Sequence, residues 1–182
     1  MRKIIFAINV TIDGYADHTA VIADDELHKF FADYLDDVGI ILFGRKTYEM
    51  MASSWPHARE NPASTKSEIE FADKYNSIEK VVFSRTLNKV DWNNTTLNKG
   101  NLITEVEKMK KQDGKSISAG SLSIASALTE KNLIDEYWIL VHPVVLGRGK
   151  KLFENLSNKV VLKLIETKTL GSGAVVMHYQ KS

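Results

Sequence analysis

Apolar runs of strand length alternate with segments of helical period along most of the chain. Residues 3–9, with Ile4-Ile5-Phe6-Ala7-Ile8 at their heart, read as a first strand that the Asp13-Gly14 turn ends. A helix is expected to begin near Asp24 or Asp25, where a carboxylate caps free amides. Its Leu27, Phe30, Phe31, Tyr34 and Leu35 recur at i, i+3, i+4 spacing, and it stops before Gly39. Gly39–Phe43 is uniformly apolar, as in a strand buried on both faces, and Gly44 opens a second helix through Tyr48, Met50 and Met51. Residues 55–66, with Pro56 and Pro62, read as a surface excursion before a short helix near 67–75.

Val81-Val82-Phe83 is the next buried strand, followed by a weaker one at 95–98. A helix over 102–111 then turns Leu102, Val106 and Met109 inward. A strand at 115–119 passes through Gly120 into a helix ending near Asn132, after which the period changes. Residues 134–142, 160–169 and 174–181 all read as strands, and Gly171-Ser172-Gly173 predicts that the last two form an antiparallel hairpin. Repeated β-α-β units closed by strands predict one α/β domain over residues 1–182. Its three layers hold a mostly parallel sheet of about eight strands with an antiparallel C-terminal edge.

Composition narrows the chemistry. Cysteine is absent, which removes disulfides, thiolate nucleophiles and iron–sulfur ligation, so any redox electrons must come from a bound cofactor. The five histidines show no paired ligand spacing, and no metal site is expected. With 24 Lys and Arg against 23 Asp and Glu there is no surplus charge to drive nucleic-acid binding. The opening apolar run is too short to span a membrane and lacks a cleavage pattern, so the cytoplasm is the default location.

Three junctions could carry chemistry, because free amides at helix N-termini favour anions and open parallel sheets bind ligands beyond their strands' carboxyl ends. Gly44-Arg45-Lys46-Thr47 places two cations where the helix dipole disfavours them, which suggests an anion. A solvated helix start is the alternative. Ser84-Arg85 after a buried strand suits a phosphomonoester, although an ordinary polar turn would look the same. Gly120-Ser121-Leu122-Ser123-Ile124 offers bare backbone and hydroxyls to a pyrophosphate without being a G-x-G-x-x-G fingerprint. Asp13 can stabilise its own turn, and His142 before Pro143 reads as a strand-end residue. Tyr48 and Trp55 read as packing residues that could also border a pocket.

Taken with T-I-D-G-Y at 11–15, G-R-K-T-Y-E at 44–49, V-V-F-S-R-T-L at 81–87, A-G-S-L-S at 119–123, L-I-D-E at 133–136 and H-P-V-V-L-G-R-G-K-K-L-F at 142–153, the chain resembles the dihydrofolate reductase superfamily. Within it the likeness is to the RibD C-terminal-like reductases. The resemblance implies an NADPH-dependent reductase of a pyrimidine- or pteridine-like small molecule. The leading substrate is 5-amino-6-(5-phosphoribosylamino)uracil of riboflavin biosynthesis, and dihydrofolate is the alternative. A non-catalytic NADP-binding protein is the alternative of another class.

Carried over by position, Ala7, Ile12 and Gly14 would flank the nicotinamide, and Gly44, Arg45, Lys46 and Thr47 would hold phosphates. Ser84 and Arg85 would take the adenosine 2′-phosphate, and Gly120, Ser121, Leu122, Ser123 and Ile124 the pyrophosphate. Ser121 stands where the family often has a second glycine, which would loosen the cofactor's close approach. The proton donor would be Glu26, with Asp25 in reserve, though an acidic helix start needs no catalysis to explain it. A homodimer is also expected. Tyr137, Trp138 and Leu140 place large apolar groups on both faces of one strand, unless Leu146, Leu152 and Phe153 fold back over them.

Overall fold

The computed structural model describes residues 1–154 and 156–182. Its elements follow the order set by the patterning. The first half comprises β1 (Ile4–Thr11), α1 (Asp25–Leu35), β2 (Val38–Gly44), α2 (Arg45–Ala52), α3 (Lys66–Ser77) and β3 (Glu79–Phe83). The second comprises β4 (Thr95–Asn98), α4 (Leu102–Lys111), β5 (Ser116–Ala119), α5 (Leu122–Glu130), β6 (Glu136–His142), β7 (Leu162–Thr169) and β8 (Val175–Lys181).

The strands form one sheet in the order β4-β3-β2-β5-β1-β6-β8-β7. The six from β4 to β6 are parallel, and β8 and β7 extend the sheet antiparallel. The hairpin turn at 170–174 is closed by Leu170 N–H donating to the Ala174 carbonyl and Gly173 N–H to the Leu170 carbonyl, with Gly173 at φ +82°. Side-chain alternation gives the sheet two buried faces, hence three layers. Ile4, Phe6, Ile40, Leu42 and Ile117 pack under α4 and α5, through Val106, Ile124 and Leu128. Ile5, Ile41, Phe43 and Val82 pack under α1, α2 and α3, through Leu35, Tyr48 and Phe71.

The chain steps from β1 to β2 to β3 across one face, then from β4 to β5 to β6 back across the other. The reversal falls at the β2/β5 boundary, where α2 and α5 start from adjacent strand ends and leave on opposite faces. That boundary positions the site.

Three local readings need correction. The segment 55–66 is more than a surface excursion, because the Trp55 ring packs edge-on to Phe71 at 4.6 Å and Ala58 is buried. Tyr137 and Leu140 are both buried within the chain, Tyr137 against Phe153 of the folded-back loop and Leu140 against Leu27, Leu170 and Val176, which removes both as a dimer face. A group of uncovered apolar side chains lies instead on or beside edge strand β7, where Val161, Leu164 and Ile165 are 57%, 50% and 42% exposed. Lys80, which the patterning passed over, is fully buried. Its ammonium donates to the carbonyls of Tyr75, Asn76 and Ile78 at the end of α3 and lies 4.8 Å from the Trp92 ring centre.

Candidate functional site

β1 outruns its neighbour. It pairs with β6 over seven residues, Ile5–Thr11, but with β5 only at Ile4↔Ile117 and Ile5↔Ser118. Ile117 N–H donates to the Lys3 carbonyl and Asp135 N–H to the Ile4 carbonyl, so odd-numbered residues of β1 aim their backbone at β5 and even-numbered ones at β6. From Ala7 onward the odd-numbered edge therefore runs past the end of β5. Half-exposed Ala7, Ile8 and Asn9 line the opening this leaves. A planar amide set beside that edge could take up the free backbone donor and acceptor of Ala7.

Directly beyond the gap, the starts of α2 and α5 meet. Gly44 N–H donates to Ser121 Oγ at 2.9 Å, and a Cβ on Gly44 would come within 3.0 Å of Ser123 Oγ. Neither helix start has a side-chain cap. In contrast α1, α3 and α4 are capped by Asp24, Thr65 and Asn101. The two uncapped starts turn free N–H groups and two aligned dipoles toward one place, a suitable seat for phosphate.

The residues singled out from sequence divide between this place and others. Gly44, Ser121 and Ser123 are in contact. Gly120 is spent on packing: its N–H donates to the Leu42 carbonyl, and a Cβ there would sit 2.7 Å from Ile41 Cγ2 and 3.0 Å from Leu42 O. Available amides therefore begin with Leu122, Ser123 and Ile124, since the first helical bond of α5 is made by Ala125 N–H. Ser121 is buried, and its hydroxyl, accepting from Gly44 N–H, ties the two helix starts together.

Arg45 is exposed and already paired with Glu49 at 3.1 Å, which offsets one of the two misplaced cations. Lys46 is exposed and Thr47 half-buried beside it. Ser84 Oγ accepts from Thr86 N–H and Leu87 N–H, shaping a turn that leaves Arg85 in solvent. Tyr48 proves to be a core residue whose hydroxyl accepts from the Asp91 and Trp92 amides.

Ile12 is 63% exposed, and Gly14 takes φ +82°, a turn conformation that glycine adopts freely. Between them Asp13 accepts from the Thr11 hydroxyl and from the amides of Leu146 and Gly147, which hold its carboxyl down at about 2. Asp13 thus does more than stabilise its own turn, since it pins the loop after β6 beside the mouth of the gap. The two acid candidates face away from each other. Glu26 Oε2 accepts from Gly171 N–H at 2.5 Å, with Lys168 3.9 Å from its other oxygen. Asp25 accepts from Ser67, and the hydroxyls of Ser67 and Thr65 lower its pKa, the opposite of what a general acid needs.

Asn9 was missed by sequence reasoning. Its signal was available: one amide side chain inside an apolar strand, at the parity that faces α1.

Residues 2–176 match the RibD C-terminal domain family. The chain is 35% identical over 184 aligned residues to the uncharacterized protein YyaP of Bacillus subtilis (strain 168), covering 98% of this chain and 94% of that one. A Shewanella sp. PV-4 protein provisionally assigned to riboflavin biosynthesis superposes with a TM-score of 0.75 at 20% identity, covering 100% of this chain and 99% of that one. Dihydrofolate reductase from Enterococcus faecalis, complexed with NADP(H), superposes with a TM-score of 0.63 at 8% identity, covering 99% and 96%. At such identities the structural likeness speaks for the fold.

Proposed function

This chain belongs to the RibD C-terminal domain family, and from that membership we propose that it is an NADPH-dependent reductase of a pyrimidine- or pteridine-like small molecule. The observation that carries the proposal is the gap between β1 and β5 with two uncapped helix starts beyond it. A dinucleotide needs both features, a slot for a flat amide-bearing ring and a seat for phosphate. Gly44 supports the fit, since any larger side chain there would fill the seat.

In this reading the amides of α5 and α2, with Lys46 and Thr47, hold the pyrophosphate, and Arg85 with Ser84 takes the 2′-phosphate. Ala7, Ile12 and Gly14 border the nicotinamide. NADPH supplies the hydride when bound. The protein's part is to fix the ring against the exposed edge of β1 and keep water out, so that the reacting atoms meet in one orientation. Proton delivery is assigned to Glu26 rather than Asp25, whose hydroxyl partners hold it ionised. The first substrate to try is 5-amino-6-(5-phosphoribosylamino)uracil, then dihydrofolate.

The test is loss of NADPH absorbance against that panel, run beside quenching of Trp and Tyr fluorescence by NADPH. Quenching without turnover of any member would favour a non-catalytic NADP-binding protein. Absence of quenching would overturn the reading. We also propose a homodimer, supported by the uncovered Val161, Leu164 and Ile165. Sedimentation at micromolar concentration should report twice the chain mass.

A further inference from the structure

Beside the gap, one buried histidine holds one half-exposed amide. His142, at the end of β6, is 1% exposed, and its Nε2 lies 3.0 Å from Asn9 Oδ1 across the two paired strands. Its Nδ1 is buried with no partner among the described residues. Burial pushes the imidazole pKa down, against the weaker opposing effect of Asp24, so the ring is neutral and carries one proton.

Two arrangements would satisfy the contact. If Nε2–H donates to Asn9 Oδ1, the orphaned Nδ1 is a bare lone pair. If instead the Asn9 amide donates to Nε2, the ring proton moves to Nδ1 and becomes a buried donor with nothing to meet. An unpaired buried N–H is the rarer and costlier defect, so the first arrangement holds. It fixes the Asn9 carboxamide with its oxygen toward β6 and its NH2 toward the side where β5 has ended. Among the described residues that NH2 makes no hydrogen bond. Ala7 lies one strand repeat away on the same face, at about 7 Å.

We infer that Asn9 donates a hydrogen bond to an amide carbonyl of the ligand bound in the gap, and that His142 is the positioning residue that orients it. The inference rests on the reductase reading and deepens it. An NH2 held in this way selects an acceptor, and two molecules in that reading supply the same one, the carboxamide of the nicotinamide and the ring carbonyl of a pyrimidine or pteridine substrate.

Titration with NADPH and with 2′,5′-ADP, which keeps phosphates and lacks nicotinamide, distinguishes the sources. If the nicotinamide is the partner, Asn9→Ala weakens NADPH about tenfold, or about 1.4 kcal/mol, and leaves 2′,5′-ADP unchanged. If the substrate is the partner, both nucleotides bind Asn9→Ala normally and KM for the substrate rises about tenfold at unchanged kcat. If Asn9→Ala produces neither change, the inference is overturned while the functional reading stands, whereas a wild-type chain that fails to bind NADPH overturns both.

His142→Leu should reproduce the Asn9→Ala loss, and His142→Gln, which keeps an N–H donor, should restore most of it. Equal losses in the two His142 variants would make the role merely structural and refute it. Independently of any ligand, ¹⁵N NMR of the free protein should find His142 in the Nε2–H form. An Nδ1–H form would overturn the assignment.

Discussion

Replacing Gly120 by alanine tests whether its bareness serves the fold or the ligand. An added Cβ would meet Ile41 Cγ2 at 2.7 Å, Leu42 O at 3.0 Å and Phe43 Cε1 at 3.1 Å, all on β2. One neighbour is backbone and the side chains of the other two are buried, so none can swing aside into solvent. Overpacking of this kind costs about 1–3 kcal/mol, and the backbone contact places this case at roughly 2–3. Against it stands a gain of about 0.4–1 kcal/mol from restricting the unfolded chain, leaving a net loss of roughly 1–2.5 kcal/mol. At about 2–4 °C per kcal/mol for a domain of this size, the melting temperature should fall by roughly 2–10 °C.

Gly44→Ala is the matched control. Its nearest neighbour would be Ser123 Oγ at 3.0 Å, the tip of an exposed side chain that can rotate away. That variant should melt within about 2 °C of wild type yet bind NADPH markedly less tightly, because the new methyl group fills the phosphate seat. Differential scanning calorimetry and nucleotide titration on both variants give the four numbers. An unchanged melting temperature for Gly120→Ala would refute the packing argument and return that glycine to the ligand.

Other substitutions probe separate parts. Arg85→Ala should erase most of the preference for NADPH over NADH while sparing NADH, and equal cofactor affinities in the wild type would falsify the 2′-phosphate assignment. Glu26→Gln keeps an acceptor for Gly171 N–H, so it should lower turnover at neutral pH without changing NADPH affinity or melting; unchanged turnover moves proton delivery elsewhere. Burial lowers Lys80 to about 8 from an ordinary 10.5, so between those values the unfolded chain holds a proton the folded chain has released. Stability of the wild type relative to Lys80→Met should therefore rise from pH 8 to 10.5, as read by urea unfolding at both ends. Asp13, held at about 2, contributes stability above its unfolded pKa of 3.8 that is lost as pH falls toward 2. Asp13→Asn should remove that acid dependence and speed amide exchange at Leu146 and Gly147.

Much of the fold was legible along the chain. The reading along the chain placed β4, as a weaker strand, and α4, by its apolar period, at the observed bounds, and Asp24, Gly44 and the Gly171–Gly173 turn mark real element boundaries, because caps and turns are local chemistry. The meeting of Gly44 with Ser121 was foreshadowed only as two separate junctions. Their contact depends on β2 and β5 being neighbours, which connectivity 77 residues apart does not reveal. Tertiary structure likewise decided that Gly120 is consumed by packing against β2 and that Arg45 already has a partner. It buried Tyr137 within the chain and put the ammonium of Lys80 at the end of α3. It also made Asn9 matter, through the four-residue length of β5 beside the eight of β1. Periodicity reports which side of an element is apolar. Which element covers that side, and where one strand ends beside another, follows from pairings between distant segments, and there the physics of this site resides.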